Sequence, residues 1–416
     1  MDNRRRASYC GGMERTDLLI IGGGLVGPAL ALAAAQAGLT SRILDRGDGA
    51  LPDAFDGRAY SLALASRRML TALGVWSELE PGAQPIHEIK VSDGVAGQGA
   101  APAFAHFQEA ELGQGPLGHM VEDRALRRVL AAAAQAAGAV IEHSVEITAQ
   151  RAEDANGVVT LADGSERRAA LIVGADGRGS ATARRAGIAR NGWSYGQTSL
   201  VAALEVERDH GGIAHQMFFP EGPLAVLPLQ DRRVVIVWTE RTARAEAIAG
   251  FDDDAYLEVL RPRFGRFLGK IDLIGGRGSF PLDLSLAARL TGPRLALAGD
   301  AAHGIHPLAG QGLNLGFRDV AALAEVLAAA IRRGEDPGAP QVLDRYAAWR
   351  RPDIAKLAVA TDGINRIFSN ANPILRGARV AALGAVGHLP ALRRGMMRQA
   401  AGIAGPLPRL LAGEAL

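Results

Sequence analysis

The sequence predicts an α/β fold: a Rossmann-like nucleotide-binding domain, interrupted by an inserted antiparallel β-sheet domain and followed by a helical C-terminal region. Three stretches predict it. Near the N-terminus, DLLIIGGGLVG joins an apolar strand to a glycine-rich turn and a helix. Far downstream, Leu295–Leu327 (LALAGDAAHGIHPLAGQGLNLGFRDVAALAEVL) again reads as strand, turn, Pro/Gly loop and long helix. Between them, Leu200–Val206, Gln216–Phe219, Leu224–Leu229 and Arg233–Thr239 read as short strands separated by turns.

In chain order, Asp17–Ile21 is a fully apolar strand, followed by Gly22-x-Gly24-x-x-Gly27. The first glycine allows the tight turn, the second lets the backbone approach a pyrophosphate, and the third lets helix and strand pack closely. The helix Pro28–Ala37 tolerates Pro28 in its first turn, where a missing N–H costs little. Gly38 ends it, and Ser41–Leu44 is the next strand, closed by Asp45-Arg46; Asp45 is placed to bond the ribose hydroxyls of an adenosine. Ala59–Leu73 reads as a helix with Leu62, Ala65, Met69 and Leu73 on one face, and Glu122–Ala137 as another. Val158–Leu161, Asp163-Gly164 and Ala170–Val173 suggest strand, turn, strand, leading into Gly174-Ala-Asp176-Gly177. Beyond Leu327 the chain reads as helical, with Tyr346–Ala360 and Ile374–Ala404 interleaving basic and apolar residues. The expected division is discontinuous: 1–82, 118–188 and 280–350 for nucleotide binding, 83–117 and 189–279 for the inserted sheet, and 351–416 for the C-terminal region.

Composition sets the class. At 416 residues, two domains are the default, and 48% apolar with 22% charged residues is ordinary for a globular chain. A formal charge of +2 gives no ground for expecting a nucleic-acid partner. The single cysteine, Cys10, excludes a disulfide framework and a cysteine zinc site, and suits a reducing, cytoplasmic compartment. No apolar run is long enough to span a bilayer, and the basic start MDNRRRASYCGGMERTD lacks the apolar core of a secretory signal. It reads as a short disordered tail, with Met13 an alternative start and a transit-peptide remnant the other reading.

Asp300 falls just past a strand end, where a carboxylate can reach a ligand hydroxyl. Gly310-Gln311-Gly312-Leu313-Asn314 opens the following helix, so free N–H groups and the positive dipole end suit an anion, or a ring that becomes anionic. Two nucleotide signatures in one chain narrow the ligand to FAD. An Asp-Gly turn alone is commonplace; Asp176 gains its significance from the other two motifs. His303 and His306 have a spacing that suits a metal, but no further ligand cluster completes a site, and no metal is expected. No GxSxG elbow, P-loop or second dinucleotide unit occurs, which speaks against a hydrolase, a P-loop enzyme and a dedicated NAD(P) domain. The arginines Arg376, Arg379, Arg393, Arg394 and Arg398 fit either a helical layer packed on the main domain or a surface helix resting on anionic lipid.

Together the glycine fingerprint, GADG at Asp176 and the GDAAH…HPLAGQGLNLGFRD block resemble the group A flavoprotein monooxygenases. The last block is similar to the ubiquinone-biosynthesis hydroxylases of the UbiH/UbiF/VisC group, most like those acting on 2-polyprenyl-6-methoxyphenol. DGRAYSLALASRRMLTALGVW, GHMVEDRALRRVL, GPLAVLPL and TDGINRIFSN agree, so the resemblance runs from about Asp17 to the C-terminus. It implies that Gly22, Gly24 and Gly27 hold the FAD pyrophosphate and Asp45 the adenosine ribose. Arg58 and Arg124 lie by the phosphates or ribityl chain, and Val145 supplies backbone contacts to the adenine. Asp176 sits near FAD and a transient NAD(P)H site, and Asp300 bonds the ribityl chain. Pro307 approaches the flavin ring, while Gly312, Leu313 and Asn314 present N–H groups to its pyrimidine edge. Leu25, Val26, Arg46, Gly299, Gly310 and Gln311 complete the expected FAD contacts. One departure stands out: the wider superfamily has Arg three residues past the Ser of GADGxxS, and here that position is Ala183, followed by Arg184 and Arg185.

The implied activity is ring hydroxylation of a polyprenylated phenol with NAD(P)H and O2, through reduced FAD and a flavin hydroperoxide. His215, His306 and Pro307 are the candidates for a catalytic role, and Phe218, Phe219, Leu227 and Trp238 for the roof of an apolar substrate cavity or, equally, for core. The rival readings are a flavin-dependent prenyl reductase or oxidase on the same fold, and a non-catalytic assembly subunit that retains FAD. Peripheral association with the inner face of the membrane, or with a ubiquinone-biosynthesis complex, is the expected setting.

Overall fold

The computed structural model describes residues 16–52, 54–95, 99–100, 105–369 and 389–416. The tail with Cys10 and Met13, and the arginines Arg376 and Arg379, lie outside the described residues.

The apolar strands of the nucleotide motifs join in one sheet. Its parallel core runs Val140–Glu142, Ser41–Leu44, Thr16–Ile21, Glu166–Gly174, Leu295–Leu297. Leu18, Leu19 and Ile20 are all fully buried, so both faces of the central strand are covered and its sequence needs no polar alternation. Ile147–Ala152 and Gly157–Leu161 extend the sheet antiparallel. Helices Val26–Gln36 and Gln311–Arg332 share its core. Small residues allow their close approach: a Cβ on Gly299 or on Gly316 would lie 3.0 Å from the Val26 side chain.

The second sheet has nine strands and is antiparallel except where Ile213–Phe219 runs parallel to Glu88–Val95. Two of its strands exceed expectation. Arg190–Val206 is 17 residues long, where the sequence suggested only Leu200–Val206. Ile271–Ala287, also 17 residues, was not anticipated at all. Gly275, Gly276, Gly278 and Pro281 interrupt the alternation that marks a strand. The expected division at residue 280 falls inside this strand, which pairs with Arg190–Val206 as far as Ala287.

A small sheet of Ala59–Ala63, Gly118–Glu122 and Gln84–Ile86 joins the two halves. It corrects the expected helix Ala59–Leu73: residues Ala59–Ala63 are strand, and the helix is Leu64–Ala72. Antiparallel pairing with Gly118–Glu122 satisfies the backbone of the first five residues, which overrides a locally helical pattern. Glu122 likewise ends a strand, and its helix is Asp123–Ala136. The chain then closes with helices Pro340–Phe368, Pro390–Ala400 and Arg409–Ala412. Among the described residues no helix is long and apolar enough to cross a membrane.

Candidate active site

The parallel strands all end on one edge, and each end carries an anticipated residue: Val145, Asp45, Gly22, Asp176 and Asp300 follow Glu142, Leu44, Ile21, Gly174 and Leu297. This is where open α/β sheets bind ligands. Backbone bonds continue past the strands and fix the loops to one another. Gly22 N donates to Leu44 O at 2.9 Å, Asp45 N to Glu142 O at 2.8 Å, and Ala175 N to Ile21 O at 2.8 Å. Val145 N donates to Asp45 O at 2.9 Å, so its amide is spent within the protein. Arg46 is exposed at the same edge.

Glycines show where a ligand fits. Gly22 has φ +117° and a Cβ there would lie 2.4 Å from Ala175 O, while one on Gly27 would lie 2.0 Å from Gly22 O. These two serve the protein's own packing. Gly24 differs: a Cβ there meets only Arg127 Nη1, at 3.9 Å. Gly312 also faces open space, with nothing within 4 Å. Leu25 and Gly310, which precede the two helices, provide no side-chain cap, so the first N–H groups of both helices remain available. Two uncapped, glycine-opened helix starts on one strand edge, with the Asp45 and Asp300 carboxylates beside them, fit a dinucleotide with an anionic middle and a polar ring, as FAD has.

The remaining residues of the long block hold this edge in place. Gly310 takes φ +61° and a Cβ there would meet Ser61 at 3.0 Å. The Asn314 carboxamide, 2% exposed, accepts from Ala63 N at 2.8 Å and Ser66 Oγ at 2.7 Å. It donates to Ser61 O at 2.8 Å and Gly310 O at 2.9 Å. Its side chain therefore serves the loop. Leu25 and Gln311 are buried, Leu313 packs on the core, and Pro307 is half-buried at the head of the short turn Leu308–Gly310.

Beneath Asp300 lies a buried charge network that sequence reasoning missed. Asp319 is fully buried and accepts from Gly299 N at 2.8 Å, His303 Nε2 at 2.5 Å and Arg350 Nε at 2.7 Å. Burial alone would raise its carboxyl, but the His303 and Arg350 charges and hydrogen bonds outweigh that and hold it below the usual range. Arg350 also pairs with Asp353 at 2.7 Å, and Tyr346 donates to Leu297 O at 2.8 Å. Arg190 supports the turn from the other side, bonding Ala301 O and, at 3.1 Å, Asp300 O. The Asp300 carboxylate itself, 40% exposed, has Arg178 Nε at 3.5 Å as its ion-pair partner. His303 thus belongs to this network and His306 does not. No group of three or more His, Cys, Asp or Glu among the described residues could hold a metal ion.

Asp176 turns inward. Ser180 Oγ, and the N and Oγ1 of Thr182 at 2.9 Å each, all donate to its carboxylate. Ala183, in the position where the resemblance expects Arg, is fully buried. Arg184 and Arg185 bond the carbonyls of Gly179 and Ile147. Arg58 bonds Asp56 at 2.7 Å and lines a cleft with Val201, Arg277 and Phe280. Arg124 donates to Glu122 at 2.9 Å, whereas Arg127, one turn later, grips Asp123 at 2.9 Å beside Gly24. Tyr60, its hydroxyl pushed up to about 12 by burial and by Asp123, also stands near Asp300. The i, i+4 relation of Asp123 and Arg127 was the available signal for the second arginine.

One face of the nine-stranded sheet packs on the joining sheet and the other turns away from it. Val201, Ala203, Ala214 and Val235 pack with Ile86 and Met120 of the joining sheet. Phe218 stacks on Phe368 with centroids 4.2 Å apart, and Asn365 donates to Gln197 at 2.9 Å. Met217, Phe219 and Trp238 point the opposite way, into a core with Tyr256 and Phe264. The anticipated roof therefore divides: Phe218 and Leu227 remain, while Phe219 and Trp238 are back-face core. His215 shares that back face, 4.6 Å from the Phe267 ring, so it is no catalytic candidate. His306 is 1% exposed, edge-on to Tyr195 at 5.2 Å, and its two ring nitrogens have no hydrogen-bond partner among the described residues. Burial and then Arg178 push it down to about 4, so it is neutral at pH 7.

Comparison with known proteins shows the family and the fold. Residues 15–361 match the FAD-binding-domain family. The chain is 44% identical to the ubiquinone hydroxylase UbiL of Rhodospirillum rubrum, covering 96% of this chain and 93% of that one. It is 34% identical to the 3-demethoxyubiquinol 3-hydroxylase of Escherichia coli, over 94% and 99%. The fold is similar to that of p-nitrophenol 4-monooxygenase from Pseudomonas putida, with a TM-score of 0.77 at 20% identity, over 94% and 99%.

Proposed function

The chain belongs to the FAD-binding-domain family of flavoprotein monooxygenases, and we propose that it hydroxylates the aromatic ring of a polyprenylated phenol in ubiquinone synthesis. One observation carries the reading. The sheet face carrying Val201, Ala203, Ala214 and Val235 is apolar and packs on the joining sheet, and Phe368 and Asn365 close it at Phe218 and Gln197, which supports a ring site shielded from water.

FAD, reduced by a nicotinamide donor, supplies the activation of O2. The protein's part is binding, orientation and water exclusion. Gly24 and the N–H groups after it would take the pyrophosphate, with Arg127 adding charge; Asp45 would take the adenosine ribose and Asp300 the ribityl hydroxyls. The start of helix Gln311–Arg332 would stabilise negative charge on the ring. His306, neutral and unpaired, would offer a hydrogen bond to the phenol oxygen beside Pro307. NAD(P)H would approach from solvent, and the protein would work peripherally at the inner face of the membrane or in a biosynthetic complex.

Purified protein supplied with NAD(P)H, 18O2 and a series of prenylphenols tests this. One labelled oxygen in the product ring is expected, with the preferred phenol identified by mass. Donor consumption without label would mean a reductase or oxidase, and an unreactive flavin an assembly subunit.

A further inference from the structure

The face of the nine-stranded sheet that carries Phe218 is covered in two places and open between them. Ala203, Val235 and Ala214 are buried against Ile86 and Met120 of the joining sheet. Four residues away along the same strands, Ser199, Thr239 and Phe218 are buried as well, Phe218 against the Phe368 ring. The row between them differs. Val201 pairs with Val237, Val237 with Ala225, Ala225 with Gln216 and Gln216 with Val91, and all five residues are only half-buried. Side chains two residues apart share a face of a strand, so this row is the floor of a slot between the two covers.

Four of the five floor residues are apolar. From Val201 to Gln216 the row crosses three strand spacings, about 14 Å. At Val201 it meets Gly278 of the neighbouring strand, and both line the cleft at Arg58, the arginine expected beside FAD. Gln216 is the polar member of the floor. Its Nε2 is buried and has no hydrogen-bond partner among the described residues. His215 and Met217, its neighbours in sequence, lie on the back face, so the Gln216 carboxamide stands on the slot side. A buried donor without a partner costs stability, and folded proteins pair nearly all such groups. An apolar residue here would serve the fold better. The amide has a use only when the slot holds a molecule with an acceptor beside it.

We propose that the slot seats the aromatic ring of the substrate and that Gln216 is a specificity residue, donating from its carboxamide to an oxygen substituent of that ring. Val201, Val237, Ala225 and Val91 contact carbon; Gln216 recognises oxygen. A hydrocarbon ring in the slot would leave the amide unpaired and is therefore disfavoured against an oxygenated one. The identity of the ring rests on the prenylphenol reading, which this assignment deepens.

Calorimetry tests it, on the FAD-loaded full-length protein and on Gln216→Met, with two ligands: 2-prenyl-6-methoxyphenol, and prenylbenzene, which has no ring oxygen. Methionine keeps the unbranched shape of the side chain and removes the donor. Affinity for the oxygenated ring should fall about tenfold, while that for prenylbenzene should stay within about twofold or rise. Melting temperature and FAD content should match or exceed wild type, because no bond within the protein is lost. Gln216→Leu should repeat the pattern. Equal loss for both ligands, no loss for either, or a wild type that binds the two equally overturns the proposal. The hydroxylase reading is judged separately, by label from 18O2 in the product ring. Absence of label beside an oxygen-dependent binding loss would sink that reading and leave the role of Gln216 in ring recognition standing.

Discussion

Single residues at the strand edge divide into those that serve the ligand and those that serve the fold, and the division can be tested. Gly24 faces open space, whereas a Cβ on Gly27 would lie 2.0 Å from Gly22 O. Gly24→Val should therefore fold with a near-normal melting temperature and lose FAD, while Gly27→Val should lower the melting temperature even of the FAD-free protein. Equal thermal destabilisation by both would refute the distinction. Asp300 has one distant ion-pair partner and an exposed carboxylate. Hydrogen bonds to charged groups contribute about 1.5–3 kcal/mol, so Asp300→Ala should weaken FAD by roughly ten- to hundredfold with the fold intact. Full FAD occupancy in a fluorescence titration would contradict the ribityl assignment. The same logic reverses the expectation for Asp176, whose carboxylate is bonded by Ser180 and Thr182. Its spacing could be read from the sequence; its occupancy by neighbours could not, because hydroxyl partners leave no distinctive pattern.

Elements position these residues, and here the network under Gly299 dominates. Removing one partner of a buried ion pair costs about 3–5 kcal/mol, because the other charge is left without compensation. Arg350→Leu leaves Asp319 still bonded to His303, so about 3 kcal/mol is expected in urea unfolding, together with weaker FAD binding. A loss of stability with unchanged FAD affinity would show that the network does not hold the Asp300 turn. His303, Asp319 and Arg350 are all visible in the sequence, but their meeting depends on how helix Pro340–Phe368 packs, and no local period encodes that. The strand Ala59–Ala63 escaped for a related reason: its partner Gly118–Glu122 is distant in sequence, and its own residues read as helix. Strand faces were also illegible. The alternation that puts Phe218 toward the site and Phe219 away from it is plain only once register is known.

Across the whole molecule, the parallel half was legible and the antiparallel half much less so. Buried parallel strands are short, apolar and bounded by glycine motifs, whereas Ile271–Ala287 is half exposed and broken by glycines. Burial also distributes a property that no motif announces: a pH dependence spread over both halves. His119, His215 and His306, in the joining sheet, on the back face of the large sheet and in the loop before Pro307, are each pushed down to about 4 by burial. In the unfolded chain they titrate near 6.5, so between about 6.5 and 4 the unfolded state binds more protons. Stability is therefore full above that window and falls as pH drops through it, by about 1.4 kcal/mol per pH unit for each histidine. Asp319, held below the usual carboxylate range, contributes stability that is fully present above about 3.9 and is lost only at more acidic pH, so the two effects separate. His215→Leu isolates one histidine without touching the site, since it packs on Phe267 behind the sheet. The variant should keep hydroxylation within about twofold of wild type, because it removes no contact made to the reacting ring. Urea unfolding at pH 7 and pH 5 should show a pH slope shallower than wild type by about one proton. A parallel slope would mean that His215 titrates in the folded protein as it does in water, and that the back-face packing is looser than the ring contact implies.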